Sequence, residues 1–180
     1  MNSLLCLSKK IDAMNEWIGR AAVWLVLVMT LLGTFNALMR YTISYSSNAF
    51  LEGQWYLFGA IFLLCSGYTL LHDAHVRVDV LLERFTARTK AWIDIFGIIF
   101  FLMPMAFASM LLSWPIFVDV FRTGEMSNSP GGLIVWPARL LIPVGFFLII
   151  LQGFSELIKR VDSLRARDAA PEASGKEAAK

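Results

Sequence analysis

The sequence predicts an all-α integral membrane protein that crosses a bilayer four times. The first observation is composition: 57% of the 180 residues are hydrophobic and 17% are charged, whereas an ordinary soluble domain has about 45–50% and about 25%. The second is that the apolar residues are concentrated in four blocks, each long enough to cross a hydrocarbon core of about 30 Å as a helix. The third is the uneven distribution of lysine and arginine between the blocks, which gives the orientation.

Four uncharged stretches define the predicted spans. They contain nineteen, nineteen, twenty-four and sixteen residues, and lie between Arg20 and Arg40, between Glu52 and His72, between Asp94 and Asp119, and from Leu140 to Ser155. The predicted spans are about 18–40, 50–72, 92–118 and 137–157, within one membrane domain of residues 1–162. Residues 169–180 consist largely of Ala, Glu, Lys and Pro, and we expect residues 163–180 to form a disordered cytoplasmic tail.

The basic residues predict which ends of the helices are cytoplasmic. Thirteen of the sixteen lysines and arginines lie in the N-terminal segment, in the second loop and in the tail. Cytoplasmic segments carry the excess of these residues, so both termini are predicted to be cytoplasmic and the first and third loops to lie outside. The net charge of +2 is too small to indicate a nucleic-acid partner.

The N-terminal segment has a helical pattern of its own. Its apolar positions recur every three or four residues, at Leu4, Leu7, Ile11, Met14 and Ile18. The other face carries Lys9, Lys10, Asp12, Asn15 and Glu16. This periodicity predicts an amphipathic helix lying flat in the cytoplasmic headgroup region. Packing of the same helix on another subunit is an alternative, and both can hold.

Local residues predict how the later helices begin and bend. Ser47 or Asn48 is expected to cap the second helix, and Thr86 or Thr89 the third. Prolines interrupt the last two helices at Pro104, Pro115 and Pro143. Each proline removes a backbone donor, so we expect kinks there. Turn residues between Arg122 and Gly132 predict an exposed loop.

Few polar side chains occur at membrane depth. Asn36 and Gln152 are the costliest of them to expose to lipid, so we expect both to face a partner helix. A role as substrate ligands is the weaker interpretation, because a transport path needs several convergent polar groups. His72 and His75 have carboxylates nearby, but a metal site needs three or four ligands in a defined geometry. An interfacial polar loop is therefore the favoured interpretation, and no metal or cofactor is predicted.

The charged residues at the predicted outer face are candidates for docking. Arg40 ends the first span and Glu52 begins the second, so the two can pair, with separate solvation as the alternative. The other outward charges are Asp119, Arg122, Glu125 and Arg139. Arg139 has the alternative of extending to the membrane surface from the head of the fourth helix. The sequence lacks the common catalytic motifs, so we do not expect an enzyme.

Several runs of residues together resemble a known family. They are Asn36–Tyr41, Ser47–Phe58, Tyr68–Leu70, the run His75-Val76-Arg77-Val78-Asp79, Gly124–Ser127, Gly131–Leu133, Trp136–Pro143, Gln152-Gly153 and Glu156–Arg160. The chain resembles the small permease subunit of tripartite ATP-independent periplasmic (TRAP) transporters, the DctQ-like family. The resemblance covers about residues 15–162.

The resemblance implies a role within a larger assembly of the bacterial cell inner membrane. Such systems combine a soluble periplasmic substrate-binding protein, a large membrane subunit that moves the substrate, and a small four-helix subunit. Uptake, mostly of organic acids, is driven by an ion gradient. The small subunit is then a scaffold for the large one, with its outer surface available to the binding protein.

The sequence suggests which residues serve that role. The candidate contacts with the other subunits are Asn36, Arg40, Glu52, Arg122, Glu125, Arg139 and Gln152, and the candidate interfacial motif is His75, Arg77 and Asp79. Two other functions are alternatives: a membrane anchor of a redox complex and a small homo-oligomeric channel. Intramembrane ionisable groups would favour either alternative, and the uncharged spans argue against both.

Overall fold

The structure is a computed structural model that describes residues 2–45, 47–72 and 86–177, with side chains for 4–45, 47–72, 86 and 88–165. The elements are α1 (Asn2–Ile43), α2 (Asn48–Leu71), α3 (Ala87–Gly97), a π-helical turn (Ile98–Leu102), α4 (Met103–Thr123) and α5 (Trp136–Glu177). The described part of the chain is helical apart from short connections and one small β-bridge.

Four helices have the length and composition needed to cross a membrane. Their bounds are Leu4–Ile43, Asn48–Leu71, Arg88–Thr123 and Trp136–Arg165. The third consists of α3, the π turn and α4 in succession. The predicted number and order of spans are therefore confirmed on these criteria, whereas the cytoplasmic placement of the termini stays a prediction.

Side chains cap the N-termini of α2 and α3, and in each case the capping residue is one of the two that the sequence predicted. The Ser47 hydroxyl accepts a hydrogen bond of 3.3 Å from the backbone N–H of Ala49. The Thr86 hydroxyl accepts one of 3.4 Å from the N–H of Thr89. These bonds satisfy donors that have no partner in the first turn of a helix. Ser47 and Thr86 are thus confirmed as the N-caps.

The π turn lies immediately before Pro104. Within it the N–H of Met103 bonds to the carbonyl of Ile98, five residues earlier. In a regular α-helix the ring of Pro104 would clash with the carbonyl of Phe100, and that carbonyl would lose its usual donor. A widened turn changes the position of this carbonyl relative to the ring. The irregularity expected at Pro104 therefore takes the form of a π turn, whereas α4 and α5 continue as helices through Pro115 and Pro143.

The last helix, α5, is the centre of the bundle. It packs against α1, α2, α3 and α4. In the most apolar part of each span, 44% of the residues are buried in α5, against 11% in α1, 11% in α2 and 17% in the third span. Gly145 lets α2 approach closely, since a Cβ atom there would lie 2.8 Å from the Leu63 Cβ and 3.0 Å from the Leu63 carbonyl oxygen.

The predicted amphipathic helix is the first part of α1, which continues into the first span without a break. Its buried residues are Ser8, Ile11, Asn15 and Gly19, whereas Leu4 and Leu7 of the predicted apolar face are more than half exposed. The buried stripe therefore follows a different line from the predicted one and is partly polar. Contact of the exposed face with the membrane surface stays a prediction.

The C-terminal part of α5 extends past residue 162, the predicted end of the membrane domain. Leu164 is buried against Ala91 and Ile95 of α3, with Leu157 beside them. The backbone is helical as far as Glu177, where the sequence predicted a disordered tail. The Ala, Glu, Arg and Lys residues of this stretch are good helix formers. The limits of the membrane domain and the disorder of the tail stay predictions.

The close contact at Gly145 predicts opposite effects for two glycine substitutions. We expect Gly145→Ala to lower the free energy of unfolding, because overpacking strain of about 1–3 kcal/mol outweighs a gain in helix propensity of about 1 kcal/mol. Gly59→Ala in α2 is the matched control, because no atom lies within 4 Å of the added Cβ, and we expect it to be stabilising. Unfolding in mixed micelles of rising SDS content measures both. Equal stabilisation by the two substitutions would contradict the close contact between Gly145 and Leu63.

Candidate functional site

A set of polar side chains joins the first and last helices at the end of the bundle that carries both termini. We call it the α1–α5 cluster; its members are Ser8, Asp12 and Asn15 of α1 and Gln152, Ser155, Glu156 and Lys159 of α5. Four of them, Ser8, Asn15, Gln152 and Ser155, are the largest fully buried side chains of the described residues. The deepest part of this small protein is thus polar.

Gln152 is the centre of the α1–α5 cluster and is 0% exposed. Its Nε2 donates to Asp12 Oδ1 at 2.8 Å, and its Oε1 accepts from Asn15 Nδ2 at 2.7 Å. A weaker bond of 3.3 Å links Nε2 to Glu156 Oε1 within α5. The prediction that Gln152 faces a helix is confirmed, and the helix is α1 of the same chain. Gln152 is enclosed within the chain, and its role as a contact with another subunit stays a prediction.

The carboxylate of Asp12 collects donors from three residues of α5. Besides Gln152, the Ser155 hydroxyl donates to Oδ1 at 2.6 Å and the Lys159 ammonium lies 3.2 Å from Oδ2. Because Ser155 donates to Asp12, its oxygen accepts from the Ser8 hydroxyl, 2.7 Å away. Lys159 also contacts Glu156 Oε1 at 2.5 Å. One ammonium therefore bridges two carboxylates, which lessens their repulsion.

The α1–α5 cluster also contacts α2 through Asn15. The Oδ1 atom of Asn15 is buried and has no hydrogen-bond partner within the described residues. It lies against Gly67, where a Cβ atom would be 2.5 Å from Oδ1. Only glycine fits at that distance, so the absence of a side chain at Gly67 allows α2 to close over the cluster.

Three further polar contacts lie at the same end of the bundle. His72 Nε2 lies 2.7 Å from Glu16 Oε2, which joins α2 to α1, and Glu16 Oε1 lies 2.9 Å from Arg20 Nε. Arg160 Nε lies 3.5 Å from Asp94 Oδ2, which joins α5 to α3. Among the residues with a structural description, no group of three or more His, Cys, Asp or Glu is placed to hold a metal ion.

The interfacial motif proposed from the sequence cannot be placed in this fold. His75, Arg77 and Asp79 lie outside the described residues. Their role at the membrane surface stays a prediction.

The opposite end of the bundle carries a small two-armed turn, which we call the 125–135 ribbon. Met126 and Ile134 form an antiparallel bridge, flanked by backbone hydrogen bonds of 2.9 Å from Ser127 to Leu133 and 3.0 Å from Val135 to Glu125. Gly131, with φ of +69°, is in the left-handed region that the turn requires. The loop predicted between α4 and α5 is therefore an ordered ribbon over this part.

Glu52, in the first turns of α2, holds the 125–135 ribbon. One carboxylate oxygen accepts the Ser127 hydroxyl, and the other accepts the backbone N–H of Leu133 at 2.7 Å. A Cβ atom at Gly132 would lie 2.9 Å from both oxygens. Asn48 adds a bond of 3.0 Å from its Nδ2 to the carbonyl of Pro130. The N-terminal turns of α2 thus contact both arms and the tip of the ribbon.

The pairing expected between Arg40 and Glu52 does not occur. Glu52 is 8% exposed and bonds to the ribbon, whereas Arg40 is exposed at the end of α1. Within the described residues no ion pair joins them. A backbone N–H and a hydroxyl, both fixed by the ribbon, satisfy the carboxylate without the ordering of a long arginine side chain, which costs conformational entropy.

The remaining candidate contacts divide by exposure. Arg40, Arg122, Glu125 and Arg139 are exposed at the ribbon end of the bundle. Asn36 is buried within α1, and its Oδ1 has no partner in the part of the chain that is described. Asn36, Glu52 and Gln152 are buried within the chain, and the contacts of all seven candidates with other subunits stay predictions.

The α1–α5 cluster was missed by the sequence interpretation, which assigned Asp12 and Asn15 to a water-facing surface. A usable signal was present. Polar residues recur at positions 8, 12 and 15 and again at 152, 155 and 159, with helical spacing in both sets. Two polar stripes of equal length on different helices are able to face each other.

The fold defines an integral membrane helical bundle whose polar clusters are bonded within the chain. The family model of the DctQ component of tripartite ATP-independent periplasmic transporters matches residues 14–163, which include all of α2, α3 and α4. The chain belongs to this family, so it is a small membrane component of a TRAP transporter, which confirms the resemblance. This is a family of transporter components and not of enzymes. No curated protein and no solved structure matches the chain.

The central position of Gln152 predicts a large effect on stability. A single interhelical hydrogen bond in a membrane contributes about 0.6 kcal/mol, but buried groups left without partners cost about 1–3 kcal/mol. Gln152→Ala leaves Asn15 Nδ2 without its acceptor and removes one of the donors to Asp12 Oδ1. We therefore expect the free energy of unfolding to fall by about 1–3 kcal/mol, as measured by SDS titration in mixed micelles.

Thr34→Val is the control for this substitution. Thr34 is exposed, and within the described residues its hydroxyl bonds to the Thr30 carbonyl of its own helix at 2.9 Å. Its replacement should change stability by less than about 0.5 kcal/mol. A loss for Gln152→Ala no larger than that of the control would show that the α1–α5 cluster contributes little.

Proposed function

We propose that this chain scaffolds the large permease subunit of a TRAP-type transporter in a bacterial inner membrane. In this proposal the large subunit moves an organic acid, a periplasmic binding protein delivers it, and an ion gradient drives uptake. Family membership supports the role of a small membrane component. The observation that carries the scaffold role is that the described polar clusters are bonded internally, while the outer faces of the helices are apolar.

A fixed part and a substrate path have different requirements for polar groups. A path needs polar side chains that are free to bind a passing solute at mid-depth. The buried polar side chains of the described residues lie in the α1–α5 cluster or at Glu52, where they form hydrogen bonds within the chain, with the exception of Asn36, whose Oδ1 has no partner there. A single amide does not supply the several convergent groups that a path needs. Polar groups used in this way hold helices in place, which favours a scaffold over a conduction path.

The outward faces of α1 and α4 suit contact with lipid or with another membrane subunit. Large apolar side chains are more than half exposed along both, including Trp24, Leu31, Phe107 and Leu112. In water such a surface would be unfavourable, whereas in a bilayer it is the normal exterior of a helix bundle. We propose that one of these two faces contacts the large subunit and that the other faces lipid.

The orientation predicted from the basic residues suggests a function for the ribbon, because it places the ribbon on the periplasmic side. If both termini are cytoplasmic, the 125–135 ribbon and the exposed Arg40, Arg122, Glu125 and Arg139 lie in the periplasm. We propose that this end contacts the binding protein. The ordered ribbon supports this assignment because a surface that is already fixed loses less entropy on binding.

Purification of the chain from its own membrane tests the proposal. We expect a tagged copy extracted in a mild detergent to carry one large polytopic protein in a one-to-one ratio, identified by mass spectrometry and sized on native gels. An unrelated four-span protein with the same tag is the control. Recovery of the chain alone, or solute transport by the chain alone in liposomes, would count against a scaffold role.

Two matched variants then locate the contact. The first replaces Trp24 and Leu31 of α1 by alanine, and the second replaces Phe107 and Leu112 of α4. We expect one variant to lose the large subunit and the other to retain it, because lipid accommodates a smaller side chain and a packed interface does not. Retention of the large subunit by both variants would contradict an interface on these faces.

A further inference from the structure

We propose that Glu52 is a positioning residue that holds the 125–135 ribbon in the shape in which the ribbon contacts the periplasmic binding protein. This inference rests on the proposed function and adds to it a residue that acts from behind the contact surface. Glu52 itself touches no partner in this proposal, because it is enclosed by the ribbon.

The burial of Glu52 is the first observation. A carboxylate is rarely enclosed unless donors replace the water it loses. Here the hydroxyl of Ser127 serves one oxygen and the N–H of Leu133 serves the other. Hydrogen bonds to an ionised acceptor are stronger than neutral ones. The acid at this position is thus matched to two specific donors of the ribbon.

The second observation is that these two donors belong to different arms. Ser127 lies on the first arm and Leu133 on the second, and the two residues face each other next to the Met126–Ile134 bridge. Backbone hydrogen bonds already set the separation of the arms, and one rigid carboxylate that bonds to both arms ties them to α2. Gly132 fits against both oxygens because it has no side chain. The way the ribbon is held against α2 therefore depends on Glu52.

The third observation is what the ribbon presents on its other side. Successive side chains of an extended arm point to opposite faces, and directly opposed residues share a face. Since Ser127 points toward Glu52, Met126 and Ile134 point away from α2. They are 62% and 41% exposed. An exposed apolar pair beyond the end of the helices suits an apolar patch on a soluble protein, so the Glu52 contact and the presented surface are on opposite faces of one ribbon.

Binding of the periplasmic protein to the whole complex tests this inference. The complex is purified from its own membrane into nanodiscs, and the binding protein recovered with it is labelled and titrated. We expect Glu52→Ala and Gly132→Ala each to raise the Kd by about tenfold or more, because an unheld ribbon must be ordered on binding. Gly132→Ala retains the carboxylate and displaces the ribbon sterically. The two variants therefore share only the loss of the hydrogen bonds between Glu52 and the ribbon.

Two controls separate positioning from a general loss of charge or fold. Glu52→Gln keeps an acceptor for the Leu133 N–H and has a donor for the Ser127 oxygen, so it should retain most of the affinity. Thr42→Val removes an exposed hydroxyl at the same end of the bundle, where it bonds to the Leu38 carbonyl of its own helix at 2.7 Å, and should leave the affinity and the ribbon unchanged. Co-purification of the large subunit shows that each variant has assembled, and Gly132→Ala serves as the test if Glu52→Ala does not assemble.

Proteolysis of the ribbon provides the second measurement. Glu52→Ala and Gly132→Ala should speed cleavage between residues 125 and 135 in the complex, and Thr42→Val should not. A loosened ribbon with unchanged Kd would overturn the positioning role and leave the proposed function intact, as would an unchanged ribbon in both variants. A wild-type complex that binds no periplasmic protein would overturn both proposals.

Discussion

The bonds of Gln152 to Asp12 and Asn15 are the interaction on which the rest of the bundle depends. They join the first helix to the last, and the last helix, α5, packs against all the others. In a bilayer, association of helices gains little from burying apolar surface, because lipid is equally apolar. Specific polar contacts and close backbone approach must then select the neighbours. The α1–α5 cluster supplies the polar contacts. Gly67 lets the Asn15 side chain of α1 lie against α2, and Gly145 lets the backbone of α2 lie close to α5.

The two ends of the bundle use polar groups differently. At the end with the termini, polar side chains connect one helix to another, and the result is a fixed arrangement of helices. At the other end Glu52 and Asn48 connect a helix to a ribbon, and the result is a fixed surface. The proposed scaffold, which would hold a large membrane subunit and meet a soluble protein, needs both arrangements.

The spans and helix caps were predictable from the sequence because each depends on a short stretch of chain. The capping bonds of Ser47 and Thr86 involve only the next two or three residues of the chain. The α1–α5 cluster was not predictable in the same way, since Ser8 and Ser155 are far apart in sequence and become neighbours only through the order of packing. Charge alone suggested Arg40 as the partner of Glu52. The donors that Glu52 uses instead belong to the ribbon, and the shape of the ribbon could not be predicted from a local sequence pattern.

The π turn has a consequence for the angular phase of the third span. In an α-helix each residue advances the direction of the side chain by about 100°. A π turn accommodates about one residue more than a regular turn, so the residues after it are rotated by about 100° from where an unbroken helix would place them. The buried residues of α3, Ala91 and Ile95, and those of α4, Ala106 and Val120, are therefore not related by α-helical spacing alone. The extra residue before Pro104 sets which face of α4 turns inward, through a rotation of the backbone.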